Sequence, residues 1–110
     1  MSFYMFSGRY SQPAIKALVD EPQDREAAAR KMIEATGGKL HHLFFAFGED
    51  DVIAIIEAPD DAAMAAGALV IAASGAFSGG KTTHLLTPSE AKAAMEGAKK
   101  ASGAYVPPTG

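Results

Sequence analysis

Two groups of side chains in this sequence could do chemistry by their type and spacing. The stretch FGEDDVIAIIEAPDD, Phe47 to Asp61, sets Glu49, Asp50, Asp51, Glu57, Asp60 and Asp61 around one apolar run. The other group is the three histidines, His41, His42 and His84. Clustered carboxylates can hold a metal or exchange protons, and imidazoles can do either near neutral pH. A calcium loop needs alternating carboxylates around a central glycine, whereas an apolar strand splits these acids. Asp60 and Asp61 stand where a helix begins, one as its cap and one beside its positive end. Glu49 and Asp50 suit a solvent-facing turn, and Asp51 either caps that turn or opens the next strand.

Glu57 fits none of these roles. A two-residue turn at Glu49-Asp50 places His42 opposite Glu57, and a three-residue turn would place His41 there instead. A His–Glu pair on an apolar surface can act as an acid–base or ligand-anchoring unit, because the carboxylate favours the imidazolium. It can equally be a cross-strand ion pair near a sheet edge. Adjacent strand residues point to opposite faces, so His41 and His42 are not expected to share one ion, and His84 belongs to a distant strand. The expectation is no metal and no cofactor. There is no cysteine, which removes disulfides, thiolate sites and a cysteine nucleophile. SGGKTTH lacks phosphate-loop spacing and lies in a strand, and no nucleophile elbow or Ser–His–Asp order is present.

The elements that must position these residues follow from periodicity. SFYMFSGRY, Ser2 to Tyr10, reads as a first strand, with Phe3, Met5 and Arg9 on one side and Tyr4, Phe6 and Tyr10 on the other. Ser11 caps a short helical turn with Pro13 in it, and a main helix runs from about Asp24 to Ala35. Lys39 to Gly48 and Asp51 to Ala58 form a hairpin, and Asp60 opens a second helix rich in small residues, which lets it approach a sheet closely. Gly75 ends that helix. Ala76 to Thr87 is a fourth strand, bulged at Gly79-Gly80, and TPSE, Thr87 to Glu90, is a capping box for a last helix. The order β-α-β-β-α-β gives an α+β, ferredoxin-like fold with an antiparallel four-stranded sheet plus a C-terminal helix. Residues 1–102 are expected to form one domain and 103–110 a tail.

The apolar residues of the hairpin fall on both of its faces. Val52, Ala54 and Ile56 alternate with Ile53 and Ile55, and Leu43 and Phe45 with Leu40 and Phe44. Helices cover one face of such a sheet, so a second apolar face calls for a second cover, and a homodimer supplies it. A net charge of −3 with scattered lysines and arginines argues against nucleic acid as a partner. No segment is apolar enough for a membrane span or shaped like a signal peptide, so a cytoplasmic location is expected.

The chain resembles the GYD-domain family of small bacterial proteins from about Phe3 to Ala94. Gly48, Asp51, Val52, Glu57, Ala58, Pro59 and Asp60 stand where the family pattern of Gly, Tyr-Asp, apolar strand and Glu-Ala-Pro-Asp-Asp would place them. Asp50 occupies the position of the signature tyrosine. The resemblance implies a dimeric α+β barrel and no particular reaction; the wider superfamily includes monooxygenases, lactone isomerases, haem-degrading proteins and ligand-sensing domains.

The expected function is a small-molecule-binding homodimer with an apolar cleft between sheet and partner, taking a small apolar or aromatic ligand. Tyr4, Phe6, His42, Phe44, Ile55 and Glu57 are expected to line it. The alternatives are a cofactor-independent monooxygenase or isomerase, with His42, Glu57 or His84 as catalytic candidates, and a structural or interaction module whose cleft is filled.

Overall fold

Four stretches of alternating side chains pair into one antiparallel sheet, and a computed structural model describes residues 1–110. The elements are β1 (Ser2–Tyr10), α1 (Gln12–Asp20), α2 (Glu26–Ala35), β2 (Lys39–Phe45), β3 (Val52–Ala58), α3 (Asp61–Ala73), β4 (Phe77–Leu85) and α4 (Pro88–Ala101), with a 3-10 turn at Ser102–Ala104. The strand order β2-β3-β1-β4 makes the sheet ferredoxin-like, as its sequence order implies. No helix is long and apolar enough to cross a membrane.

Caps explain most helix boundaries. The hydroxyl of Ser11 accepts the Ala14 amide, with Pro13 in the first turn, and α1 is a full nine-residue helix rather than the short turn expected. Asp60 Oδ1 accepts the Ala63 amide at 2.8 Å, and Gly75 follows α3 at φ 77°. Thr87 and Glu90 close a reciprocal capping box on α4, whose backbone and side-chain donors hold the Glu90 carboxyl below its usual range.

Two irregularities depart from the expected strands. β2 stops at Phe45, and six residues rather than two turn the chain into β3, closed by the Ala46 amide on the Asp51 carbonyl. Gly48 and the charged Glu49 and Asp50 cannot extend the ladder profitably once Asp51 is engaged by the Gly8 carbonyl and the Tyr10 amide. On β4 the irregularity lies at Ser78, between Gly79 opposite Arg9 and Phe77 opposite Tyr10, and not at Gly79-Gly80. Gly80 instead faces Gly8 across the ladder, and the Phe6 ring lies over both; a Cβ at either would fall within 3.0 Å of that ring.

One face of the sheet carries the core. Tyr4, Phe6, Leu40, Ala54, Ile56 and Ala58 pack there against Ile33 of α2 and Met64 of α3. The opposite face presents Phe3, Met5, Phe44, Ile53 and Ile55, and α2 and α3 pack on the other side; the turn at 46–51 reaches over one end of it, where Arg9 donates to the Glu49 carbonyl and Lys81 stands 3.9 Å from Asp50. α4 buries no residue, and its substantial neighbour is the 3-10 turn that follows it. The radius of gyration is accordingly 17.9 Å, against about 13 Å for a compact chain of this length.

Candidate functional site

Three places in this fold gather residues that could do something, and they lie on different faces of the sheet. The first is the open face. The two histidines of β2 reach it together because His42 pairs with Ile55 and Leu40 with Ile56, leaving His41 as an extra residue in the ladder. His41 Nε2 lies 2.9 Å from Glu57 Oε1, and its ring is 5.3 Å from Phe3. His42 stacks on Phe44 with centroids 6.0 Å apart.

This arrangement corrects two expectations. Glu57 pairs with His41, not with His42, because the six-residue turn and the bulge shift the register. The bulge also places both imidazoles on one face, which regular strand alternation forbids. His42, Phe44, Ile55 and Glu57 do share a face, as the alternation implies. Tyr4 and Phe6 do not join them, since both are buried on the helix side.

The second place is the N-terminal end of α3. The Tyr4 hydroxyl donates to Asp61 Oδ1, and His84 Nδ1 stands 3.5 Å from the same oxygen. His84 also packs on the Tyr4 ring at 4.7 Å. Asp61 therefore accepts a proton-bearing partner besides sitting at the helix's positive end, a role that its place in the sequence does not reveal. The hydrogen bond to Asp61, with desolvation and the nearby charges of Asp61 and Asp60, pushes the Tyr4 phenol up to about 12.

A pH dependence follows. The folded chain holds the Tyr4 proton to about 12, while an unfolded tyrosine loses it near 10, so this bond stabilises the fold fully below pH ~10. Urea midpoints of the wild type should fall as pH rises from about 10 to about 12, and Asp61→Ala, which removes both the acceptor and its charge, should flatten that fall. Identical alkaline profiles for the two proteins would sink this assignment.

The third place is a cleft of about 300 Å³ between the sheet and helices α2 and α3. Its floor is Phe6, Leu43, Val52, Ala54 and Ile56, and its walls include Ala29, Met32 and Ile33 from one helix and Met64, Gly67 and Ile71 from the other. Of 22 lining residues 18 are hydrophobic, so an apolar occupant suits it. The small residues of α3 do not bring that helix down onto the sheet as expected; they leave room under it. None of His41, His42, His84 and Glu57 touches this cleft, and of the six residues expected to line a binding site only Phe6 does.

Alternation alone could not find this cleft, because its lining comes from four strands and helices whose spacing is set by packing. The visible signal is the Ala- and Gly-rich face of α3, DAAMAAGALVIAA, opposite the equally small Ala28 and Ala29.

The GYD domain model matches residues 4–95 of the chain. Among solved structures, a crystal structure of MtbAldR is similar, with a TM-score of 0.54 and 19% sequence identity over 78% of this chain and 52% of that one. The chain thus spans about half the length of that protein, and the likeness is one of fold. No curated protein matches.

Proposed function

The chain belongs to the GYD domain family, and on that premise we propose that it is a small-molecule-binding protein acting as a homodimer. The observation that carries the reading is the apolar cleft of about 300 Å³ between the sheet and α2 and α3. A hydrophobic domain of this size normally closes such space, since empty volume forfeits packing contacts. Volumes from about 300 Å³ upward are those that take small ligands. The cleft lies on the helix side, so the ligand would sit there rather than between sheet and partner.

The dimer part of the reading rests on the open sheet face. Only 11 of 110 residues are buried in the single chain, few for this length, while on the opposite face Phe3, Met5, Ile53 and Ile55 are half-buried and Phe44 is exposed. A second copy placing its equivalent face there would cover both at once. The competing enzymatic reading, a cofactor-independent monooxygenase or isomerase, would need a base at the ligand. The cleft is lined by no histidine and no carboxylate, which favours binding over turnover.

A cleft-filling variant tests the binding reading. A Cβ at Gly67 would stand 3.7 Å from the Met32 sulfur, an ordinary contact, so Gly67→Leu fits and extends a branched side chain into the space. Removing a glycine from a helix interior should also raise stability by about 0.5–1 kcal/mol. Mass spectrometry of the purified proteins should show a small molecule with the wild type and none with Gly67→Leu. Equal retention by both proteins, or by neither, would refute binding in this cleft.

A further inference from the structure

The cleft has one charged residue in its wall, Arg25, and that residue makes no ion pair. Arg25 precedes α2, Tyr10 ends β1, and Ser74 and Ala76 join α3 to β4, so these four lining residues come from elements that meet at one end of the cleft. Thr36, Ala58 and Ala63 belong to the other end. Three carboxylates close to it in the chain or beside Tyr10 have other partners. Glu26 pairs with Arg30 at 3.1 Å, Asp24 accepts the Glu26 amide, and Asp51 accepts the Tyr10 amide. The hydroxyls of Ser74 and Thr36 donate to the carbonyls of Ile71 and Ile33, within their own helices. One Arg25 nitrogen donates to the side-chain oxygen of Gln23, and the guanidinium also lies within hydrogen-bonding reach of the Tyr10 oxygen, which still leaves part of its fork of five N–H donors for a ligand. The Arg25 charge also lies close enough to the Tyr10 phenol to oppose the rise that burial causes there.

We propose that the cleft takes a compact apolar carboxylic acid, its carboxylate held by Arg25 and the Tyr10 hydroxyl at one end and its hydrocarbon body between α2 and α3. A planar guanidinium with no carboxylate of its own is complementary to a carboxylate, which it can bind through two parallel hydrogen bonds. The phenol supplies a further donor beside it. The apolar walls beyond offer no partner for a second polar group, so the body of the ligand is hydrocarbon. An apolar cavity of ~150 Å³ accepts benzene. A cleft of about 300 Å³ therefore suits a body about twice that size. Straight-chain acids of intermediate length and phenylalkanoic acids fall in this range.

The proposal rests on the binding reading above, and the experiment separates the two. Hexanoate, octanoate and 4-phenylbutyrate, each beside its corresponding primary alcohol, are titrated by calorimetry into the full-length wild type, Arg25→Gln and Arg25→Lys. The wild type should bind at least one acid about tenfold or more tighter than its alcohol, a preference of the size a charge-assisted hydrogen bond gives. Arg25→Gln should lose that preference while keeping its affinity for the alcohol, and Arg25→Lys should retain part of it. Alcohols bound as well as acids by the wild type would overturn the carboxylate proposal and leave the apolar cleft standing. An acid preference undiminished in Arg25→Gln would overturn the role of Arg25. No binding of any of the six compounds would overturn the proposal and the binding reading together.

Discussion

Leu40→Ala should cost about 2–5 kcal/mol of folding free energy. Leu40 is 1% exposed and is the most fully buried large side chain of the core. Its strand cannot move to fill the space left behind. The Leu40 carbonyl accepts from Arg30 Nη1 at 3.0 Å, and its backbone pairs with Ile56 immediately before the bulge. A cavity that cannot collapse places the cost in the upper part of the range. Urea unfolding at a fixed protein concentration, with an unchanged slope, would measure it. Phe47→Ala is the matched control: that ring is 97% exposed, so its loss should fall within about 0.5 kcal/mol. Similar losses for both variants would mean that the core is not where Leu40 sits.

Ile55→Glu is expected to turn the proposed dimer into a folded monomer. Ile55 lies at the middle of the open face, opposite Met5 on one side and His42 on the other. In a single chain the glutamate would project into water and leave the fold intact. In a symmetric dimer it would be buried twice, at about 3 kcal/mol or more each time, raising the dissociation constant about 10⁴-fold. Sedimentation at micromolar concentration should give a dimer for the wild type and a monomer for the variant, with unchanged circular dichroism. Lys31→Glu, on the exposed side of α2, should remain dimeric. A monomeric wild type, or a variant that still associates, would overturn the assembly.

The element order was legible because most helix boundaries have a local chemical cause. Thr87 with Glu90 and Asp60 with the Ala63 amide are contacts within three residues, so their residue types announce them. The two apolar faces of the hairpin were legible for the same reason, since alternation is a property of the strand itself. The pairing of Glu57 was not. It depends on how many residues the turn spends and on one bulge at His41, and small differences in turn energy decide both.

The candidate site divides along the same line. The carboxylates at Asp60 and Asp61 and the aromatic residues Tyr4 and Phe6 could be recognised from the sequence as residues with a role. Which side of the sheet each one serves could not, because a strand pattern fixes relative faces and leaves open which face the helices cover. The cleft is further still from the sequence. Met32, Met64 and Gly67 are ordinary helix residues until α2 and α3 settle apart over Ala54 and Ile56.

Taken alone, the amino-acid sequence determined the four strands, the capped helices, the ferredoxin-like order and the presence of a second apolar face. These rest on periodicity and on contacts between near neighbours in the chain. Only the tertiary structure decided that His41 rather than His42 meets Glu57, that Tyr4 and Phe6 face the helices, and that an apolar cleft with a lone arginine at one end opens beneath α2 and α3. Each of those depends on residues far apart in the chain coming within a few ångströms, and long-range packing alone sets that distance.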